Sequence, residues 1–160
     1  MPQKYVKKIL DARIYDLAIE TPVDEAPLLS HRLNNNVLLK REDLQPVFSF
    51  KLRGAYNKLR HLSKEQLAAG VVAASAGNHA QGLALAAKKM GVKATIVMPQ
   101  TTPHIKVLAV KSYGVAVILK GDNYSESAEY CNHLQAQSGA IYIHPFNDEL
   151  VIAGQGTIGY

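Results

Sequence analysis

The chain has 160 residues, of which 48% are hydrophobic and 19% charged, with a formal net charge of +5 and a pI near 9.3. This composition predicts one globular domain with a hydrophobic core and argues against a disordered protein. No apolar run approaches the ~18 residues that a membrane-spanning helix needs. Because no aromatic-rich basic stripe or groove-reading motif accompanies the positive charge, solvated helix faces are favoured over a nucleic-acid-binding surface.

A secretory signal is not expected, because the first ten residues carry lysines but no apolar core or small-residue cleavage site. Cys131 is the only cysteine, so an internal disulfide is excluded and the chain fits a reducing compartment. These observations predict a cytoplasmic protein. No set of cysteine and histidine residues has metal-ligand spacing, so no metal site is predicted.

The first predicted element is a helix over residues 4–18, where apolar side chains recur on one face. Thr21-Pro22 ends this helix, and an extended segment follows. A short helix over residues 29–33 and a short strand over residues 37–40 complete the N-terminal part.

After Ser49 the pattern becomes a regular alternation of helices and strands. Such alternation implies right-handed crossovers and an α/β fold with a mostly parallel, four-stranded sheet flanked by helices. The predicted helices are residues 50–62, a short one opened by Ser63, and residues 79–90, 104–113 and 124–137, and the predicted strands are residues 71–74, 94–98, 115–119 and 140–143.

Lys51 has neighbours that suit an imine-forming amine, although most lysines in such positions are solvated surface residues. Ser49 is a candidate N-cap, which would place Lys51 in a first helical turn where the helix dipole disfavours its charge. Phe50 could supply a ring face, with core packing as its alternative, and Arg53 could supply a second positive charge. These neighbours favour the neutral, nucleophilic amine.

A loop of small residues follows the predicted strand at residues 71–74 and opens the next helix. Ser75, Ala76 and Gly77 are small enough for a ligand to approach the backbone, and ligands of α/β folds gather at the carboxyl ends of strands. Asn78 adds an amide that can hydrogen-bond a phenolic oxygen. The alternative is an ordinary strand-to-helix turn, with Asn78 as its N-cap and His79 as a structural residue.

Residues 154–159, Gly-Gln-Gly-Thr-Ile-Gly, match the dinucleotide-binding pattern G-x-G-x-x-G. That motif requires a following helix and an acidic residue about 20 positions further on. Here the sequence stops at Tyr160, and the segment does not directly follow a strand. A nucleotide-binding domain is therefore rejected as a reading of this motif. His133 and His144 are predicted to be surface or loop residues.

Several separated segments, in one order along nearly the whole chain, resemble the pyridoxal-phosphate enzymes of fold type II. The resemblance is closer to the biosynthetic threonine dehydratases (threonine ammonia-lyases). The Gln-Pro-Val of residues 45–47 favours this biosynthetic branch over the degradative serine/threonine dehydratases, which remain an alternative. The segments that carry the resemblance are residues 21–22, 40–47, 49–56, 73–82, 96–99 and 151–157.

The resemblance implies a site for pyridoxal phosphate and L-threonine, and a reaction that gives 2-oxobutanoate and ammonia for isoleucine biosynthesis. Lys51 would bind the cofactor covalently and act as the base on the substrate α-proton. Phe50 would pack against the cofactor ring, and Asn78 would hydrogen-bond its 3′-oxygen. The substrate carboxylate would lie on the loop formed by Ser75, Ala76, Gly77, Asn78 and His79.

Ala76 stands where the similar serine racemases carry a serine that handles a second proton. Because an alanine side chain has no exchangeable proton, dehydration is favoured over racemisation.

The resemblance also implies that the chain is an N-terminal part of such an enzyme. Residues 1–49 would belong to an incomplete larger domain, and residues 50–160 would form the α/β small domain. The family's glycine-rich phosphate loop does not occur in this sequence, and each charge-assisted hydrogen bond lost with it is worth ~1.5–3 kcal/mol. Weak or absent cofactor binding is therefore expected.

Exposed apolar faces of the incomplete domain would favour a homo-oligomer. A non-catalytic interaction or complementation fragment is the alternative function.

Overall fold

The structure is a computed structural model that describes residues 2–160. Its first part holds two helices and a two-stranded antiparallel sheet in which Val23 lies opposite Lys40. A short 3-10 helix, Glu42–Leu44, leads from this part to the main sheet. The four elements are α1 (Pro2–Leu10), β1 (Val23–Glu25), α2 (Pro27–Leu33) and β2 (Leu38–Lys40).

The prediction of one helix over residues 4–18 is wrong beyond Leu10, where α1 ends. Residues 11–20 form turns and irregular backbone instead. Ile14 and Ala18 are nevertheless buried in the core, and Ala18 N donates to Ile14 O at 2.8 Å in an isolated turn. The helix-like spacing of these apolar residues therefore reflects which of them reach the core, and the backbone that carries them is irregular.

Helices and strands alternate through the rest of the chain, as the sequence predicts. The element bounds differ from the predicted ones by a few residues at most. The elements are α3 (Lys51–Arg60), α4 (Lys64–Ala69), β3 (Val71–Ala74), α5 (Asn78–Met90), β4 (Ala94–Met98), α6 (His104–Lys111), β5 (Ala116–Leu119), α7 (Tyr124–Ser138), β6 (Ile141–Tyr142) and α8 (Glu149–Gly156), followed by a 3-10 turn, Thr157–Gly159.

The main sheet has the strand order β5-β4-β3-β6, and all its neighbours are parallel. The chain therefore builds β3, β4 and β5 outward in one direction and then returns to pair β6 with the other edge of β3. Along β3, Val71 and Ala73 face the larger core cluster, while Val72 and Ala74 face a smaller one that includes Cys131 of α7. Helices thus cover both faces, and the predicted α/β fold is confirmed.

Helix α3 lies between α5 and α8, and a glycine on each neighbour allows close contact. A Cβ atom added at Gly82 would lie 2.8 Å from Leu52 N, and one added at Gly154 would lie 2.6 Å from Arg53 O. Such distances are far shorter than van der Waals contact, so only glycine fits at these two positions without a backbone shift. The position of α3 is therefore fixed from two sides.

Several helix ends form as elementary capping rules predict. Ser63 opens α4 with a capping box closed by Gln66, and Gly91 ends α5 in the left-handed conformation. None of the helices that the described residues form is long and apolar enough to cross a membrane.

Candidate functional site

Lys51 is the first residue of α3, and its side chain is only partly buried. Its Nζ donates a hydrogen bond to Pro145 O at 2.9 Å and lies 5.4 Å from the centroid of the Phe50 ring. Phe50 is 37% exposed, so its ring flanks the amine at the surface and is not fully committed to the core. The amine therefore has one carbonyl partner and one aromatic neighbour.

The predicted capping role of Ser49 is only partly realised. Phe50, not Ser49, occupies the N-cap position of α3, and it makes no side-chain capping bond. Ser49 Oγ instead accepts a hydrogen bond from Lys51 N at 3.3 Å. Lys51 nonetheless lies in the first turn, as the sequence predicts.

Arg53 does not act as a second positive charge beside Lys51, so that expectation is wrong. Its guanidinium is fully buried and forms two hydrogen bonds of 2.7 Å with the carboxylate of Glu42. Thr21 Oγ1 and Gln45 Nε2 also donate to Glu42. Burial alone raises the pKa of Glu42, but these hydrogen bonds and the Arg53 charge outweigh it, and the pKa ends below its usual value. The Glu42 carboxylate therefore neutralises the Arg53 charge.

The loop of small residues lies where the sequence predicts it, between the carboxyl end of β3 and α5. Gly77 is the N-cap of α5, and Asn78 is its first residue, so the alternative that Asn78 caps the helix is wrong. No side chain or backbone atom lies within 4 Å of a Cβ atom built on Gly77, which leaves open space over the loop. Within residues 2–160, the backbone N–H groups of Ala76, Asn78 and His79 donate to no other protein group.

One segment, residues 143–145, joins the lysine to this loop. His79 Nε2 lies 3.0 Å from Ile143 O, and Lys51 Nζ lies 2.9 Å from Pro145 O. The segment follows β6, which pairs in parallel with β3, so it reaches the same edge of the sheet as Ser75. The Lys51 amine and the start of α5 therefore lie against opposite ends of one three-residue stretch.

His79 is 3% exposed and is held as a neutral ring. Its pKa is lowered to about 4: burial is the largest cause, the hydrogen bond to Ile143 O opposes it, and electrostatic interactions with Lys51 and His144 add smaller lowering effects. Because Nε2 must carry the proton that it donates to Ile143 O, Nδ1 has a free lone pair, and this buried atom has no partner among the described residues.

The segment after β6 is a compact turn that sequence reasoning placed only as a loop. His144 Nδ1 accepts hydrogen bonds from Phe146 N at 3.2 Å and Asn147 N at 2.8 Å. Asp148 then caps α8 through Leu150 N and Val151 N and pairs with Lys58 Nζ at 2.6 Å. This segment is referred to below as the 144–148 turn.

Pro145 is the member of the site that sequence reasoning missed. Its contribution is a backbone carbonyl, which every residue carries, so its identity gives no direct signal. The available signal was its position, because Pro145 comes just after a strand whose carboxyl end lies at the ligand-binding edge of a parallel sheet. The lysine, its ring neighbour, the small-residue loop and this turn together form one site at that edge.

Residues 14–160 match the family described as pyridoxal-phosphate dependent enzymes. The chain belongs to this family, whose cofactor is pyridoxal phosphate. Among curated relatives, it is 57% identical to the biosynthetic L-threonine dehydratase of Burkholderia multivorans over 157 residues, 96% of this chain and 31% of that protein. It is 54% identical to the chloroplastic threonine dehydratase 1 of Solanum lycopersicum over 98% of this chain and 26% of that protein.

Solved structures give the same picture. The processed form of threonine deaminase isoform 2 from Solanum lycopersicum superposes with a TM-score of 0.93 at 52% identity, over 98% of this chain and 43% of that one. Maize serine racemase superposes with a TM-score of 0.91 at 37% identity, over 96% of this chain and 47% of that one. The chain thus spans less than half of either structure and less than a third of the two curated relatives.

Proposed function

We propose that this chain provides the lysine and the carboxylate-binding loop of a threonine dehydratase, a pyridoxal-phosphate-dependent ammonia-lyase. The reaction converts L-threonine to 2-oxobutanoate and ammonia. The observation that carries this proposal is the segment 143–145, which contacts both the Lys51 amine and the first turn of α5. The names of the relatives, at 50–57% identity, support the same reaction over serine racemisation or a purely structural role.

The donors at the site fit the chemistry of an amino-acid substrate and of pyridoxal phosphate. Lys51 provides a primary amine that can bond covalently to an aldehyde carbon. The unpaired N–H groups of Ala76, Asn78 and His79 suit a carboxylate, since anions are stabilised at helix N-termini. The exposed amide of Asn78 makes no hydrogen bond within the described residues, so it is free to meet a cofactor oxygen.

Each residue would have a distinct task in the reaction. Ser75, Ala76 and Gly77 would leave room for the substrate carboxylate, and the N–H groups of this loop and of His79 would bind it. Phe50 would pack against the cofactor ring, and Asn78 would hold its 3′-oxygen. Pyridoxal phosphate, when bound, would supply an electron sink for charge that develops at the substrate α-carbon.

Lys51 would take the α-proton of the substrate while its own amine is not bonded to the cofactor. Its distance of 2.9 Å from Pro145 O gives it a defined resting position from which this proton transfer can start. Ala76 offers no second proton-handling group on the loop, which supports dehydration rather than racemisation. In such an enzyme, residues 1–49 would belong to the larger domain and residues 50–160 would form the smaller one.

An absorbance titration with pyridoxal phosphate tests the lysine assignment directly. Because weak binding is expected of this chain, the titration extends to a large excess of pyridoxal phosphate, where any visible band should be lost in Lys51→Ala and kept in Lys106→Ala, which removes an exposed lysine on α6. Borohydride reduction followed by peptide mass mapping would then show the label on Lys51. A band of equal size in Lys51→Ala, or a label spread over surface lysines, would refute the assignment.

Substrate choice is tested by adding L-threonine or L-serine to the loaded protein and measuring the 2-oxo acid. Release of 2-oxobutanoate in excess of the serine product supports the biosynthetic reaction over the degradative serine/threonine dehydratases. A Lys51-dependent band with no 2-oxo acid from either substrate would support a cofactor-binding but non-catalytic part, which acts only with a complementary chain.

We also propose that the chain associates with itself, in a cytoplasmic setting without membrane or nucleic-acid partners. Large apolar side chains in its first part are exposed, including Leu28 at 90% and Leu33 at 57%. Exposed apolar surface of this kind favours association. Light scattering over a wide concentration range tests this: a constant monomer mass with little binding of hydrophobic dyes would refute it. The exposed large apolar residues of this part include Val6, Leu10, Tyr15, Ile19, Val23, Leu28, Leu29, Leu33, Leu38, Leu39 and Leu44.

A further inference from the structure

The 144–148 turn is closed by a single ring nitrogen. His144 Nδ1 faces both Phe146 N and Asn147 N, at 3.2 Å and 2.8 Å, and can accept from them only through its lone pair. The ring also lies edge-on to Tyr142 and to Phe146, with centroid distances of 5.8 Å and 4.5 Å. Pro145 lies inside the turn, and its carbonyl is the acceptor for Lys51 Nζ.

We propose that His144 is a positioning residue for Lys51, because its Nδ1 lone pair holds the turn that presents Pro145 O to the lysine amine. If the lone pair is lost, the turn opens and the amine loses its carbonyl partner. The inference rests on the proposed function only in taking Lys51 as the reactive amine. The contact itself needs no cofactor, so it can be tested without one.

This arrangement makes the Lys51 contact sensitive to pH. Protonation places hydrogens on both ring nitrogens of His144, which turns its acceptor into a donor facing two N–H groups. The charged and titratable groups near the ring are Tyr142 of β6, whose ring is edge-on to it, Asp148 at the N-cap of α8 and His79 of α5, and Lys58 pairs with Asp148.

Burial lowers the pKa of His144, and the Asp148 carboxylate only partly opposes this. The ring is therefore neutral and the turn closed at neutral pH, and the turn opens as pH falls through the His144 pKa. Of the neighbouring groups, His79 has a pKa of about 4, and the pKa of Asp148 also lies below its usual value.

Two variants distinguish the effect of the Nδ1 lone pair from that of the aromatic ring. In His144→Phe the aromatic packing is kept and the acceptor is removed. In His144→Asn the ring is removed and the acceptor is kept, since asparagine Oδ1 lies the same number of bonds from Cα as histidine Nδ1. Asp148 already accepts in this way from Leu150 N and Val151 N, two and three residues ahead.

The readout is the rate at which trinitrobenzenesulfonate modifies Lys51 relative to the exposed Lys106, measured by peptide mass spectrometry at about pH 8. While Nζ donates to Pro145 O the amine is held away from the reagent, so modification of Lys51 requires this hydrogen bond to open. We therefore expect His144→Phe to raise the ratio about tenfold, from the usual strength of a hydrogen bond to a charged group. We expect His144→Asn to stay within about twofold of the unmodified chain.

A pH series adds a second test that does not depend on His144→Phe folding well. The ratio should rise in the unmodified chain as the pH falls through the lowered pKa of His144, and it should stay flat in His144→Asn over the same series. A ratio that is unchanged in a folded His144→Phe, or that rises equally in His144→Asn at low pH, overturns the inference.

The outcome is also separable from that of the proposed function. If the modification ratios behave as expected but pyridoxal phosphate gives no Lys51-dependent band, the positioning role stands and the cofactor role falls.

Discussion

The buried ion pair between Arg53 and Glu42 gives a quantitative prediction for Glu42→Gln. The substitution keeps the shape of the side chain, but it replaces one carboxylate oxygen by an NH₂ group that faces an arginine N–H. The fully buried Arg53 then loses one of two 2.7 Å hydrogen bonds and all of its countercharge. Removing one partner of a buried pair costs about 3–5 kcal/mol.

Urea unfolding of the 160-residue chain, followed by circular dichroism, measures this loss. A domain of this size has an unfolding free energy of about 5–15 kcal/mol, so the variant should lose a large fraction of its stability. With a slope of about 2 kcal/mol per molar, the midpoint should fall by roughly 1.5–2.5 M urea. Glu129→Gln, the same change at an exposed position on α7, should stay within about 0.5 kcal/mol.

The direction of the pH dependence follows from the lowered pKa of Glu42. Because the folded-state pKa lies below the unfolded value near 4.5, the pair stabilises the fold above that pH and loses its effect as pH falls through the folded pKa. Glu42→Gln should therefore be less sensitive to acid over this range.

A double variant, Glu42→Met with Arg53→Leu, should recover most of the lost stability, since it leaves no charge buried. A loss below about 1 kcal/mol in Glu42→Gln, or a double variant no more stable than it, would refute this reasoning.

Three further predictions concern backbone and packing, each measured by the same unfolding experiment. Gly154→Ala should lower the free energy of unfolding by about 1–3 kcal/mol, because its Cβ would lie 2.6 Å from Arg53 O. Gly159→Ala is the control, since a Cβ there meets no atom within 4 Å, and equal effects of the two substitutions would contradict the prediction. Phe48 is 80% exposed with φ of 55°, so Phe48→Asn should stabilise the chain by about 0.5–1 kcal/mol and Phe48→Ala should not. Ser63→Ala should cost about 0.5–2 kcal/mol by removing the capping box of α4, and an unchanged midpoint would count against that role.

The parts of the fold that follow from short-range rules could be predicted from the sequence. Strands such as β3 are short apolar runs between turn residues, and helices such as α5 end at a glycine with positive φ. The loop from Ser75 to Gly77 lies at the expected edge of the sheet for the same reason, because parallel strands end together. The roles of Lys51 and of this loop toward cofactor and substrate remain predictions.

The failures have a common physical cause, which is that contacts between distant residues decide the outcome. Ile14 shows the period of a helix but is buried from an irregular segment, because the core and not local propensity determines where it lies. Arg53 is two positions from Lys51, yet it turns to Glu42, which only the folded chain brings near. Pro145 contacts Lys51 across 94 positions through its backbone carbonyl, and because every residue has such a carbonyl, the sequence cannot indicate this contact.

The strand order has a consequence for how this chain forms on the ribosome. Lys51 leaves the exit tunnel long before its partner, because Pro145 is made 94 positions later and follows the strand that returns to the first edge of the sheet. At about 5–20 residues per second, translation alone leaves the amine without that carbonyl for roughly 5–20 s. Until β6 and the 144–148 turn have formed, the nascent chain therefore presents Lys51 without the carbonyl that holds its amine in the folded protein.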